Sequence, residues 1–84
     1  MNTTYILYSE QLNRYYIGST RGSLAERLDR HLTNHDGFTA KAKDWKVVFE
    51  EHFDLYEQAH EKEQLIKGWK SRKMVERLIQ KKGL

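Results

Sequence analysis

Two segments near the start of the chain, residues 4–9 and 14–19, each have a run of aromatic and aliphatic residues between polar ones. This pattern predicts two β-strands, in which successive side chains point to alternate faces. Tyr5 falls on one face of the first strand, and Tyr16 falls on one face of the second. The short polar stretch between them ends in Asn13, which tolerates a left-handed turn conformation. The pattern therefore predicts a β-hairpin.

The period then changes to four residues, which is typical of a helix. Leu24, Leu28 and Leu32 recur as an apolar stripe. Ser23 is followed three residues later by Glu26, the pattern of a capping box at a helix start. A helix is therefore predicted from Leu24 until the pattern is lost near residues 33–34, with residues 34–43 as a loop.

The second half of the chain predicts one more strand and two more helices. Residues 45–53 contain the apolar run Val47-Val48-Phe49, which indicates burial on both faces of a strand. Asp54 and Glu57 match a second capping box. The apolar side predicted for the helix that follows consists of Leu55, Ala59, Leu65, Ile66 and Trp69, and Gly68 is expected to weaken or end it.

A last helix is predicted after Ser71, which is a suitable N-cap, and before Gly83, a plausible stop. Its apolar positions are Met74, Val75, Leu78 and Ile79. The expected order is β-β-α-β-α-α. Residues 1–84 are thus predicted to form a single α+β domain, a three-stranded antiparallel sheet flanked by helices.

Composition narrows the class of protein. The 84 residues include no cysteine, which excludes disulfides and thiolate metal sites. No apolar run approaches the roughly 20 residues of a membrane span, so a cytoplasmic location without a membrane partner is expected. The net charge is +3, but eight Lys and Arg crowd into residues 62–82. This basic end indicates a phosphate-binding surface, or else an ordinary solvated helix face.

Several residues carry candidate chemistry. Arg27 and His31 lie four residues apart, so they share one face of the first helix. Gly18, which has no side chain, would let a phosphate or a helix start approach the backbone of its strand. Glu63 could ligate a divalent cation, or it could be a surface glutamate paired with Lys67. The sheet is expected to place the Tyr5 and Tyr16 hydroxyls on the same side as Arg27 and Glu63.

A set of residues spread over the first two strands and the first two helices resembles the signature of the GIY-YIG nuclease superfamily. The set is Tyr5, Tyr16-Ile17-Gly18, Arg27, His31 and Glu63. The chain looks like the small stand-alone bacterial members and is similar to the nuclease domain found in the bacterial excision-repair endonuclease, excinuclease ABC. The first signature triplet keeps only its tyrosine, because Thr3 and Thr4 stand at the glycine and isoleucine positions.

The resemblance implies a metal-dependent DNA endonuclease, and structure-specific cleavage in DNA repair or recombination is one expectation that follows from it. The implied catalytic residues are Tyr5, Tyr16, Arg27, His31 and Glu63, with Tyr5 as general base and Glu63 as ligand of Mg²⁺ or Mn²⁺. The expected DNA contacts are Lys41, Lys43, Lys67, Lys70, Arg72 and Lys73. Two alternatives stay open: a non-catalytic nucleic-acid-binding module and a small domain that docks on an acidic protein. A protein partner or a homodimer is also compatible with the sequence.

Overall fold

The computed structural model describes the backbone of residues 2–33 and 41–82 and the side chains of residues 2–30 and 41–81. Its strands and helices follow one another in the predicted order. They are β1 (Asn2–Ser9), β2 (Arg14–Thr20), α1 (Leu24–Thr33), β3 (Lys46–Phe53), α2 (Tyr56–Trp69) and α3 (Arg72–Lys82). The predicted α+β class with a three-stranded antiparallel sheet is confirmed.

β1 is the central strand, between β2 and β3, so β2 is an edge strand. Tyr5 pairs with Gly18, and Leu7 pairs with Tyr16. Cross-strand partners share a face of the sheet, so the two tyrosines lie on the same face, as predicted. The hairpin turns at Asn13, whose φ of 53° is left-handed. The predicted hairpin is therefore confirmed.

Each face of the sheet has its own hydrophobic cluster. Tyr5 and Leu7 pack on one face with Trp45 and with side chains of α1. Ile6 and Phe49 pack on the other face with side chains of α2 and α3. Helix α1 therefore covers the tyrosine face, and α2 and α3 cover the opposite one.

A β-bulge in β3 explains its apolar run. Ile6 pairs with Phe49, but Leu7 pairs with Val47, so Val48 is an extra residue in the ladder. Val47 packs in the α1 cluster, whereas Val48 packs in the other. Burial on both faces is thus confirmed. The strand begins at Lys46 rather than Trp45, because the Trp45 side chain packs into the α1 cluster before strand pairing starts.

Two of the three predicted helix starts are correct. Ser23 Oγ accepts the N–H of Glu26, and Ser71 Oγ accepts the N–H of Met74, both at 3.3 Å. The predicted capping box of Asp54 with Glu57 is wrong. The Asp54 carbonyl accepts a hydrogen bond from the Asn2 side-chain amide at 2.9 Å, so Asp54 is held beside β1, between the end of β3 and the start of the helix.

Helix α2 accordingly begins at Tyr56, and the N–H of Leu55 donates to Gln58 Oε1 at 3.2 Å. The helix runs past Gly68 and ends after Trp69, where Lys70 takes a left-handed φ of 49°. Gly83 lies outside the described residues. Within the described part of the chain, the helices are too short and too polar to cross a membrane.

The inward face of α2 differs from the predicted apolar side. Leu55 and Leu65 are 55% and 54% exposed. The buried positions are Ala59, Glu63 and Ile66, which are four and three residues apart and so share one face. Ala59 and Ile66 belong to the predicted apolar side, but a prediction that counts only apolar residues misses Glu63 at the inward position between them.

Candidate active site

The Tyr5 side chain lies directly against the backbone of Gly18. A Cβ added to Gly18 would lie 2.6 Å from Tyr5 Oη and 2.7 Å from its Cζ, well inside the normal contact distance of about 3.5 Å. The sequence predicted that Gly18 makes room for a phosphate or a helix start. In the structure, it makes room for the Tyr5 phenol, which reaches across the face towards edge strand β2.

Burial raises the pKa of Tyr5 above its ordinary value. The neighbouring Tyr16 raises this pKa further, as do Glu63 and Tyr56, whereas the Arg27 guanidinium lowers it. These electrostatic effects require that Arg27 of α1 and Glu63 of α2 both lie near the phenol. In the free protein at neutral pH, Tyr5 is therefore a neutral phenol within reach of both a cation and an anion.

A basic cleft of about 240 Å³ lies where β2 ends and α1 begins. Half-buried Arg27 lines it together with Arg21 and Arg30, and Glu26 is the single acid among the described residues that line it. Three guanidinium groups around one small cleft attract an anion, and arginine can bind a phosphate through two N–H groups at once.

Glu63 approaches the site from the opposite side of the sheet. Ser19 pairs with Thr4, whose hydroxyl donates to the carbonyl of Ala59 in α2 at 2.6 Å. Ser19 therefore faces α2, and its Oγ donates to Glu63 Oε1 at 2.5 Å. The expectation that Glu63 lies on the same face as Tyr5 is wrong. The two residues instead approach each other at the edge strand, where Gly18 and Ser19 are neighbours.

The Glu63 carboxylate is buried and ionised. Its residue is only 9% exposed, and Lys67 Nζ donates to Oε2 at 2.6 Å. Burial alone would raise the pKa of Glu63, but the hydrogen bonds from Lys67 and Ser19 hold it below its usual value. The predicted pairing with Lys67 is present. The expectation of a surface glutamate is wrong, because α2 packs this position against β2.

Sequence reasoning missed a group of side chains beside Glu63. Tyr56 Oη lies 3.3 Å from Ser19 Oγ, and Arg21 Cζ lies 4.2 Å from the centre of the Tyr56 ring. His60 stacks on Tyr56, and its Nδ1 lies 3.7 Å from Glu63 Oε1. The sequence pattern could have identified this group. Its members Tyr56, His60 and Glu63 recur at helical spacing and therefore share one face of α2.

The site fits a cation that needs one protein carboxylate. Among the described residues, no group of three His, Cys, Asp or Glu could hold a metal ion. Mg²⁺ often takes one or two carboxylates and completes its shell with water and substrate phosphate. Glu63 would hold such an ion, since each of its oxygens keeps a second lone pair. Lys67 can move aside, because its side chain is 46% exposed.

The predicted DNA contacts divide into groups. Lys67, Lys70 and Arg72 line a second groove beside the site. Lys73 is exposed elsewhere on α3, and the loop residues Lys41 and Lys43 are exposed away from both the cleft and the groove. The backbone of His31 lies in α1, but its side chain is outside the described residues, as is the loop segment 34–40.

Comparison with protein families gives a match to the GIY-YIG catalytic domain over residues 1–77. Comparison with curated proteins and with solved structures gives no significant match. GIY-YIG domains are nuclease domains, and those nucleases are generally metal-dependent. Since the matched region includes every strand and most of α3, the chain belongs to the GIY-YIG catalytic domain family.

Proposed function

We propose that this chain is a metal-dependent DNA endonuclease that acts as a single domain in the cytoplasm on structured DNA during repair or recombination. The observation that supports it best is the meeting of three groups at one sheet edge. A buried phenol, an arginine-lined cleft and a buried ionised carboxylate approach one another around Gly18 and Ser19. Hydrolysis of a phosphodiester needs a proton acceptor, a phosphate clamp and a charge stabiliser, and Tyr5, Arg27 and Glu63 match these roles.

In the proposed reaction, a water oxygen attacks phosphorus and the bond to the 3′ oxygen breaks. The phenolate form of Tyr5, which has first lost its proton to solvent, accepts the proton of the attacking water, and the departing oxygen takes a proton from solvent. Arg27 binds the phosphate oxygens, Tyr16 maintains the geometry around Tyr5, and His31 relays a proton. Glu63 would hold the divalent cation, Mg²⁺ or Mn²⁺, which would supply Lewis-acid stabilisation of the developing negative charge.

A non-catalytic nucleic-acid-binding module is the second candidate function. One contact favours it, since Lys67 already neutralises the Glu63 carboxylate at 2.6 Å. A protein that only binds DNA could use this ion pair to join α2 to the basic groove and would need no metal.

The two candidates are separated by incubating the protein with labelled duplex, nicked, branched and single-stranded DNA, in Mg²⁺ or in EDTA. A nuclease should cut at least one substrate in Mg²⁺ and none in EDTA. The same substrates should bind in EDTA. Binding without cutting in every metal condition would establish the second candidate instead.

The cleavage rate should rise with pH. Because burial raises the pKa of Tyr5, only a small fraction of the phenol is ionised at neutral pH, and this fraction grows about tenfold per pH unit below the pKa. We expect the logarithm of the rate to rise from pH 6 to pH 9 without a plateau. Tyr5→Phe should remove this rise together with most of the activity.

Tyr8→Phe is the matched control for this pH profile. Tyr8 lies on the same strand, but its hydroxyl donates to Asn13 Oδ1 at 2.7 Å, in the hairpin turn. Its removal should leave the shape of the pH profile unchanged. Undiminished cleavage by Tyr5→Phe would remove Tyr5 from the mechanism.

A further inference from the structure

A groove of about 630 Å³ lies between the hairpin turn and the junction of α2 with α3, which is within the usual volume range of ligand sites. Apolar side chains of Ile17, Ile66 and Val75 line it. Its cationic residues are Arg14, Lys67, Lys70 and Arg72, and none of the described residues that line it is acidic. A groove that combines an apolar lining with cationic side chains suits a ligand that has a flat apolar part and an anionic part.

Arg72 is held in one position within this groove. Its Nη1 and Nη2 donate to the carbonyl and the side-chain oxygen of Asn13 at 2.7 and 2.6 Å. Its Nε donates to Glu76 Oε2 at 3.1 Å. Both partners of Arg72 also accept a second hydrogen bond. The Tyr8 hydroxyl donates to Asn13, and the Tyr15 hydroxyl donates to Glu76. Most of the Arg72 donors are therefore committed to the protein, which makes this residue a poor phosphate clamp.

The guanidinium of Arg72 instead lies over the ring of Tyr15, which forms a tilted pair with the ring of Tyr8. The rings of Tyr8 and Tyr15 have centroids 4.8 Å apart, and Arg72 Cζ lies 5.1 Å from the Tyr15 centroid. The Arg72 side chain remains 45% exposed. Guanidinium planes are a recurrent surface on which proteins stack unpaired bases. Arg72 thus offers a fixed planar platform that a flexible lysine could not provide.

The groove is continuous with the candidate active site. Lys67 lines it and also donates to the Glu63 carboxylate. From Glu63 to Lys70, the α2 axis advances about 10 Å. A DNA strand leaving the site in this direction would pass Lys67 and Lys70, whose charges suit its phosphates.

We propose that this groove binds an unpaired nucleotide of single-stranded DNA next to the cut phosphate, with its base stacked on the guanidinium of Arg72 and its phosphates near Lys67 and Lys70. This inference rests on the proposed nuclease function and names its substrate as DNA with a single-stranded flank. A fully paired duplex does not fit the groove, because its bases are stacked on one another and cannot reach the platform.

The test uses three fluorescent DNA ligands in EDTA, so that binding is measured without cleavage. They are a blunt duplex, the same duplex with a single-stranded tail, and the same tail built from abasic nucleotides. The wild-type protein should bind the tailed duplex at least about fivefold more tightly than the abasic one, which keeps the phosphates but lacks the bases. Equal affinity for these two ligands would overturn the proposal without any variant having to fold.

Three variants separate stacking from charge. Arg72→Lys keeps the charge but loses the plane, so it should bind the tailed and abasic ligands equally, with its fold checked by its melting temperature. Lys70→Ala should lower the salt dependence of tail binding by about one unit of slope. Lys73→Ala, an equal charge change outside the groove, should weaken tailed and blunt ligands alike. The preference for the tailed over the blunt duplex should fall in Lys70→Ala but not in Lys73→Ala. An equal fall in both variants would contradict the assignment.

A polyglutamate peptide tests the competing class of ligand. If it displaces the tailed DNA as effectively as an unlabelled tailed duplex does, the groove is a site for an acidic protein and the proposal fails. Cleavage in Mg²⁺ is scored separately. Base-dependent tail binding without cleavage would support the proposed nucleotide site and contradict the proposed nuclease function. Cleavage without a preference for the tailed over the abasic ligand would support the nuclease function and contradict the nucleotide site.

Discussion

Replacing Glu63 with glutamine is expected to lower the rate of DNA cleavage in Mg²⁺ by roughly a hundredfold or more. The change keeps the size and shape of the side chain but removes the negative charge that attracts a divalent cation, and that cation contributes several kcal/mol to the barrier reduction. DNA affinity in EDTA should stay level or improve, because a negative charge near phosphate is lost. The measurement pairs cleavage in Mg²⁺ with binding in EDTA on the same preparation.

Glu61→Gln is the matched control for the cleavage experiment. It makes the same charge change on the same helix, at an exposed position away from Ser19 and Lys67. Its cleavage rate should stay within about twofold of the wild type, as for ordinary surface changes. Equal cutting by Glu63→Gln and the wild type would exclude the metal role and leave the binding module as the better explanation.

The same substitution should also destabilise the fold, in contrast to what a surface glutamate would do. Glu63→Gln weakens two charge-assisted bonds, from Ser19 and Lys67, at a cost of about 1–3 kcal/mol. For a domain of this size, that corresponds to a fall in melting temperature of at least about 4 °C.

The pH dependence of this stability difference has a defined sign. The pKa of Glu63 is lowered in the folded state, so its ionised form stabilises the fold at pH values above the unfolded pKa of about 4.3. That contribution is lost as pH falls through the folded pKa. The difference in melting temperature between wild type and Glu63→Gln should therefore be largest near pH 7 and shrink below about pH 4. A difference in melting temperature that stays constant from pH 7 to below pH 4 would contradict this prediction.

The second large effect is expected from Gly18→Ala. The new Cβ would lie 2.6 Å from Tyr5 Oη, and Tyr5 is buried, so its ring must be displaced. Overpacking of this kind costs about 1–3 kcal/mol of stability, and a misplacement of about 1 Å can cost about a hundredfold in rate. We expect losses of these sizes in thermal unfolding and in cleavage.

Gly68→Ala is the control for this substitution. Gly68 lies within α2, and nothing lies within 4 Å of a Cβ added there. Alanine should therefore stabilise the helix by up to about 1 kcal/mol and leave cleavage unchanged.

A double substitution tests the cause directly. In a Tyr5→Leu background, Gly18→Ala should cost less stability, because the three phenol atoms nearest the added Cβ, which are Oη, Cζ and Cε1, are gone. An equal cost in both backgrounds would show that Tyr5 is not the group that requires a glycine.

The local elements could be predicted from the sequence because their signals are local. Alternation located both strands of the hairpin and put Tyr5 and Tyr16 on one face, which the pairing of Leu7 with Tyr16 confirms. Ser23 and Ser71 marked two helix starts correctly. The failure at Asp54 came from a distant partner, since Asn2 holds the Asp54 carbonyl at the end of the strand. A capping pattern carries no information about such a contact.

The candidate site was predicted as a set of residues, but its predicted geometry was wrong for Glu63. The family pattern named Tyr5, Arg27 and Glu63, but it carried no information about the layer of the fold from which each side chain comes. Glu63 approaches from the face opposite Tyr5 because α2 packs under β2, and Ser19 joins the site for the same reason. Ser19 had no signal of its own, since a strand serine becomes informative only when its partner is known.

Local periodicity determines which residues of this chain share a face of a strand or helix, and that was enough for the fold class, the hairpin and the tyrosine pair. Which faces meet depends on contacts between residues far apart in sequence, and only the tertiary structure decided them. It turned Gly18 into the space for the Tyr5 ring and buried the Glu63 carboxylate between Ser19 and Lys67. It also fixed Arg72 on Asn13, 59 residues away, because packing the hairpin turn against α3 brings these two residues together.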